Sequence, residues 1–214
     1  MTSYFFDTNI LFKIFFNSQS LDECELKDYL TPNSNRFISK NVEYEFSNIF
    51  LEFSSELNHF LIEPYFLLDE LEENLTLGEF QRLTKDIEVL KFNNANISSM
   101  IWQCVCGDKK SILPDDFKKG FHDFIFSFNS YFQFKYMELM DMMIVNARLD
   151  KYDEIKNTLK PHIHRADLNI CLDAHDIAVK NCIDDLVLVS ADKIFSRNSD
   201  LICDSTKISE IIQI

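Results

Sequence analysis

With 214 residues, 46% of them hydrophobic and 21 of them Phe, the chain can bury one substantial core and is not a disordered protein. A net charge of −14 excludes general, nonspecific adhesion to nucleic acid or anionic membrane, and three glycines are too few for a dinucleotide fingerprint or a phosphate-cradling loop. The sequence enters "MTSYFF" with neither a basic segment nor a cleavage signature, and no apolar run reaches the roughly 18 residues needed to span a bilayer, so a cytoplasmic protein with no membrane segment is expected.

In chain order, Tyr4, Phe5 and Phe6 form a short aromatic run that reads as a buried strand ending at Asp7. Ile10, Leu11, Ile14 and Phe15 then fall at helical spacing, giving strand, polar turn and helix. The polar interval that follows closes on the loop "PNSN", and Arg36–Ser39 reads as a second short strand. The next segment, Asn41–Leu57, carries Val42, Phe46, Ile49, Phe50 and Phe53 on a helical stripe with Asn41 as its expected N-cap.

The middle of the chain, 59–164, differs in character. "GEFQRLTKDIEVLKF" and "PDDFKKGFHDFIFSFNSYF" both read as helices, the second with Phe117, Phe121, Phe124 and Phe128 on one stripe after a Pro-Asp-Asp start. Met137, Met140 and Ile144 continue the spacing, and no Gly or Pro interrupts Phe121 to Lys160, so one or two long helices are expected there. The aromatic and methionine stripe is expected to be core. Beyond it, Asp167–Ile183 reads as a helix, "DLVLVSAD" (Asp185–Asp192) as an apolar strand, "DLICDS" as a further short strand and "KISEIIQI" as a closing helix. Strands alternating with helices imply a parallel sheet with crossover connections, with 1–58 and 165–214 forming the α/β core and 59–164 a helical insertion.

The six cysteines are scattered, mostly within apolar patterns, and read as core thiols; Cys104 and Cys106 are close but have no second ligand pair for a zinc site. Three basic stretches stand out against the acidic background: "DKK" at Asp108–Lys110, "KKG" at Lys118–Gly120, and Lys151–Arg165 with its two histidines. Solvated helix faces are the ordinary explanation of such charges.

Four acids occupy equivalent places in this plan. Asp7 follows the first strand, Glu45 lies near the start of the helix after the second, Asp173 is early in the helix before the last apolar strand, and Asp192 follows that strand. In a parallel sheet all four would gather at the carboxyl edge, where ligands bind. Two like charges about 4 Å apart repel by roughly 4 kcal/mol at an effective dielectric of 20, so such a group holds either protons or cations. Oxygen donors without His or Cys suit Mg²⁺ or Mn²⁺. Singly, each acid reads equally well as a helix cap or a surface charge.

The stretches "FFDTNILF", "FISKNVEYEF", "LDAHDIAVKN" and "LVLVSADKIF", in that order, resemble the PIN-domain nucleases, a family that includes the toxin ribonucleases of toxin–antitoxin modules. The resemblance covers the two ends of the chain and not the middle, which is longer than compact toxins carry. It implies a three-layer α/β fold, with a central parallel sheet flanked by helices and here a large helical insertion. It also implies a Mg²⁺- or Mn²⁺-dependent hydrolase cutting phosphodiester bonds, most simply an endoribonuclease. Carried over residue by residue, it gives Asp7, Glu45, Asp173 and Asp192 as catalytic acids, with Asp7, Asp173 and Asp192 on the metal. Asn9 and Ser190 become supporting residues. Asp176 and Glu43 stand close enough to Asp173 and Glu45 to compete for their roles, and both alternatives remain open.

RNA is the substrate that the resemblance implies, and an antitoxin, another protein or a second copy of the chain are the partners that it allows. Lys151, Lys156, Lys160 and Arg165 would form one wall of the RNA channel. A PIN-like scaffold without turnover is the competing reading. A phosphatase using Asp7 as nucleophile would want an acid where the chain has Asn9.

Overall fold

The computed structural model describes residues 2–16, 26, 29–31, 33–68, 74–85 and 94–214. Within them the chain divides into two compact units, 1–47 with 136–214, and 48–135. The polar interval after the first helix, and residues 86–92 of the expected helix "GEFQRLTKDIEVLKF", lie largely outside the described residues.

The first unit is built on a strand that is short because its apolar run is short. β1 (Ser3–Phe6) buries Phe5 and Phe6 completely. At Asp7 the backbone turns: Asp7 N still donates to Val189 O at 3.2 Å, while the Asp7 carbonyl accepts from Ile10 N and Leu11 N and so starts α1 (Thr8–Phe16). β2 (Asn35–Ser39) feeds directly into α2 (Lys40–Leu67). The cap of α2 is not Asn41, as its position suggested, but Ser39, whose Oγ accepts from Val42 N at 3.2 Å. Being one residue inside the helix releases the Asn41 amide for a tertiary bond.

The second unit contains the helices expected of the middle. β3 (Leu75–Thr76) leads into α3 (Leu77–Leu83), which is started by a reciprocal capping box between Thr76 and Glu79. α4 (Asn94–Cys106) and β4 (Ser111–Ile112) follow, with β4 antiparallel to β3. α5 (Pro114–Asp141) opens on Pro114, Asp115 and Asp116, as the sequence suggests. Phe80, Trp102, Phe117 and Phe121 form the aromatic core of this unit, with Phe80 and Phe117 centroids 4.9 Å apart. The stripe is only partly core, since Phe124 is half-buried; farther along α5, beyond this unit, Met137 is 60% exposed.

The absence of Gly and Pro does not keep the chain helical to Lys160. α5 stops at Asp141, and Ile144–Asn146 becomes β5, pairing in parallel with β2. Ile144 and Val145 are β-branched, and a free sheet edge outweighs their modest helix propensity. α6 (Asp153–Leu159), α7 (Arg165–Lys180) and β6 (Leu186–Ser190) follow, the last buried at every residue.

The two closing elements are exchanged relative to expectation. "DLICDS" lies in α9 (Ser199–Ser205), after the short α8 (Lys193–Arg197), and "KISEIIQI" contains β7 (Ile208–Gln213). A short apolar run such as Leu-Ile-Cys has no period of its own to separate strand from buried helix. In β7 a bulge does the misleading: the register shifts from Leu186↔Ile208 to Val187↔Glu210, so Ser209 is the extra residue and the alternation expected of a strand is broken into a helix-like spacing.

The result is an α/β unit with a five-stranded parallel sheet in the order β5-β2-β1-β6-β7, flanked by helices. Its core combines β1 and β6 with Ile10, Leu11 and Ile14 of α1 and Leu168, Leu172 and Ile177 of α7. Among the described residues no helix is long and apolar enough to cross a membrane. Leu188 is 0% exposed at the middle of β6, so Leu188→Ala should lower unfolding free energy by about 2–5 kcal/mol, whereas exposed Gln213→Ala should stay within about 0.5 kcal/mol. Urea denaturation read by circular dichroism checks this, and equal midpoints for the two variants would contradict the placement of β6.

Candidate functional site

From β1 the sheet grows in two directions, to β2 and β5 on one side and to β6 and β7 on the other. The carboxyl ends of β1 and β6 therefore flank a topological switch point, where the connecting helices diverge and leave a crevice. Asp7 leaves β1 there, and Ser190 and Asp192 leave β6 beside it.

Asp7 is 4% exposed. Its Oδ1 accepts from Thr8 N at 2.6 Å, and its Oδ2 accepts from Ser190 Oγ at 2.8 Å. Ser190 Oγ in turn accepts from Asp192 N at 3.0 Å, and Asp192 Oδ1 accepts from Ile194 N at 2.9 Å as the cap of α8. On the other flank Thr8 Oγ1 donates to Glu45 Oε2 at 2.8 Å. One residue on each side thus links Asp7 to a second acid: Ser190, whose hydroxyl also meets the Asp192 backbone, and Thr8, whose amide holds Asp7 while its hydroxyl holds Glu45.

All the groups touching Asp7 are neutral donors, and the charges that it feels are negative. Burial pushes its carboxyl up to about 6, Ser190 and Thr8 pull it partly back, and Glu45 and Asp167 push it up again. Asp167, in the first turn of α7, is itself raised by burial and then by Asp192, against a smaller opposing effect of His164. The acids that act on one another here are Asp7, Glu45, Asp167 and Asp192.

Asp173, the expected third acid, has other partners. It lies six residues after Asp167, a rotation of about 240° around the helix, so the two cannot present the same face. Its Oδ2 accepts from Asn41 Nδ2 at 2.9 Å, and its Oδ1 lies 3.3 Å from Arg148 Nη1. Asp176 is similarly engaged: Tyr152 OH donates to its Oδ1 at 2.9 Å, and Lys180 Nζ pairs with its Oδ2. Burial alone would raise the Asp176 carboxyl, but the Lys180 and Tyr152 hydrogen bonds outweigh it and hold the group below its ordinary value. Both acids are buried with their own counter-charges, as buried carboxylates in structural roles are.

The remaining expected residues are dispersed. Asn9 is exposed and makes no hydrogen bond with the described residues; its neighbour Thr8 does the supporting instead. Glu43 pairs with Lys40 on the exposed side of α2, whereas Glu45 is the acid bonded at the switch point. Lys151 and Lys156 line a cavity of about 530 Å³, and Lys160 and Arg165 are exposed outside its lining. Asp167 and Arg148 went unrecognised in the sequence. A first-turn acid looks like a dipole-stabilising residue, and Arg148 sits in a stretch that reads as helix. Of the cysteines, Cys171 is fully buried and desolvation pushes its thiol up to about 12, an inert core group, while Cys104 and Cys182 are exposed.

The donor chemistry at Asp7 fits a hard divalent cation: carboxylate and hydroxyl oxygens, a like-charged surround, and no Lys or Arg among the groups that shift its carboxyl. Among the described residues no three His, Cys, Asp or Glu side chains stand close enough to share one ion. Mg²⁺ is ordinarily held by only one or two carboxylates with water and substrate phosphate, so the fit rests on pairs that act on one another, such as Asp7 with Asp167. In comparisons with known families, curated proteins and solved structures, nothing matches this chain.

The raised Asp7 carboxyl has a thermodynamic consequence. Between its ordinary value of 3.8 and about 6 the folded state binds a proton that the unfolded state has lost, so this group's contribution to stability falls as pH rises through that window and its ionised form is a cost above it. Asp7→Asn removes the ionisation and should stabilise the protein at pH 7.5 by up to about 3 kcal/mol, a gap that closes toward pH 4. Thermal unfolding across this range checks it; a variant less stable than wild type at pH 7.5 would contradict the uncompensated carboxylate.

Proposed function

We propose that this chain is a divalent-cation-dependent nuclease of PIN-like type, hydrolysing phosphodiester bonds in RNA. The observation that carries the reading is Asp7 itself: a buried carboxylate at the switch point of a parallel sheet, fixed by two neutral donors, with further acids acting on it and no base among the described residues to balance it. Such a group costs stability and makes no structural ion pair, which favours a functional over a structural role. The order of acids at the strand ends agrees with the family resemblance, except that Asp167 takes the place given to Asp173.

In this reading Mg²⁺ or Mn²⁺ would be held by Asp7 with one further acid, Asp167 or Asp192, and by water. When bound, the ion supplies an acidified water and neutralises charge on the phosphate. The chain's own residues do the positioning. Thr8 N and Ser190 Oγ fix the two oxygens of Asp7, and Ser190 ties that carboxylate to the backbone at Asp192. Thr8 Oγ1 holds Glu45 by Oε2, leaving Oε1 of this exposed residue to accept a proton from an attacking water. Asp173 with Arg148 and Asn41 ties α7 to the start of α2 and so sets the distance between the helices that carry Asp167 and Glu45.

Because no three acids among the described residues share one ion, a PIN-like module that binds RNA without cutting it is the second reading. Incubating a mixed single-stranded RNA pool with Mn²⁺ separates the two. Wild type should cleave, Asp7→Asn and Asp192→Asn should lose 100-fold or more, and Asp167→Asn should lose at least tenfold, with chelator abolishing activity. RNA retained intact by wild type under these conditions would support the binding module and contradict the nuclease.

A further inference from the structure

Two residues beyond β5, Arg148 is pinned to α7. Its Nη1 lies 3.4 Å from Asn169 O and 3.3 Å from Asp173 Oδ1, and its Nη2 lies 3.2 Å from Asn169 Oδ1. This guanidinium lines the 530 Å³ cavity together with Asn169, Leu172, Lys151 and Lys156. The loop between them is shaped, not slack. Tyr152 adopts the left-handed region at φ 47°, costly for a residue with a Cβ, and is secured there by its bond to Asp176 and by edge-on packing against His175, ring centroids 4.5 Å apart.

Asp150 and Asp153 also line the cavity, yet neither Lys151 nor Lys156 forms an ion pair with the described residues. In a chain of net charge −14, this hollow is lined by three basic side chains against two acidic ones, and with the guanidinium already paired to Asp173 the two ammonium groups are what it offers an anion. The hollow is too large for a lone phosphate, and Leu149 and Leu172 give it an apolar wall.

We propose that this cavity seats one nucleotide of a single-stranded RNA substrate, its phosphate against Lys151 and Lys156 and its base against Leu149 and Leu172. The inference rests on the nuclease reading and adds the subsite by which the strand is held. It is tested without divalent ions, in EDTA, by fluorescence anisotropy with a labelled 12-nucleotide RNA of mixed sequence. The double variant K151E/K156E, altered only at exposed residues, should bind at least tenfold more weakly than wild type. The slope of log affinity against log salt should flatten by about 0.7, for the one phosphate neutralised. K109E/K110E, which reverses two exposed charges far along the sequence, should bind as wild type does. If K151E/K156E binds within twofold of wild type while wild type binds and cleaves, the subsite is overturned and the nuclease stands. If wild type neither binds nor cleaves this RNA, both are overturned. Equal losses in the two double variants would reduce the effect to overall charge and overturn the subsite as well.

Discussion

A carboxylate buried without a counter-charge is the constraint around which the α/β unit is organised. The positions on either side, Phe6 and Thr8, are as deeply buried, and no basic side chain among the described residues balances Asp7. The fold instead brings it two hydroxyl-bearing neighbours, Thr8 from its own helix and Ser190 from β6, each of which leads on to another acid. Neutral donors lower the cost of the charge without cancelling it, so the site retains a net demand for positive charge.

The contrast with Asp173 and Asp176 on α7 makes the point from within the same molecule. Those carboxylates are as deeply buried, yet Arg148 and Lys180 are supplied to them, together with Asn41 and Tyr152 as hydrogen-bond donors. They read as fasteners between α7, the start of α2 and the loop before α6. The helix thus separates two tasks by rotation: its first turn presents Asp167 to the switch point, and its middle turns serve packing. The same loop and helix also line the hollow that carries Lys151 and Lys156.

Much of this geometry is legible in the sequence because strand ends are marked by local chemistry. An aromatic run halted by Asp-Thr-Asn, and an all-apolar run halted by Ser-Ala-Asp, place Asp7 and Asp192 at strand termini without any tertiary information, and the parallel topology follows from alternation. What is not legible depends on contacts across the chain. The choice between Asp167 and Asp173 turns on the helix start and its rotation, which motif spacing does not resolve. Asn41 reads as a cap until Ser39 is seen to take that role, leaving its amide for Asp173. The C-terminal segment imitates a helix because a bulge at Ser209 disrupts its alternation, and β5 emerges from a helix-compatible stretch only because β2 offers an unpaired edge.

The central claim is that Asp7 is an acid strained by burial and like charges and relieved by a divalent cation. Selective ¹³C labelling of Asp and a pH titration of the Asp7 carboxyl resonance, with and without Mg²⁺, measures it directly. The account predicts a metal-free midpoint near pH 6 that moves to lower pH when Mg²⁺ is added. A midpoint at the ordinary 3.8, or one near 6 that Mg²⁺ leaves in place, would contradict it.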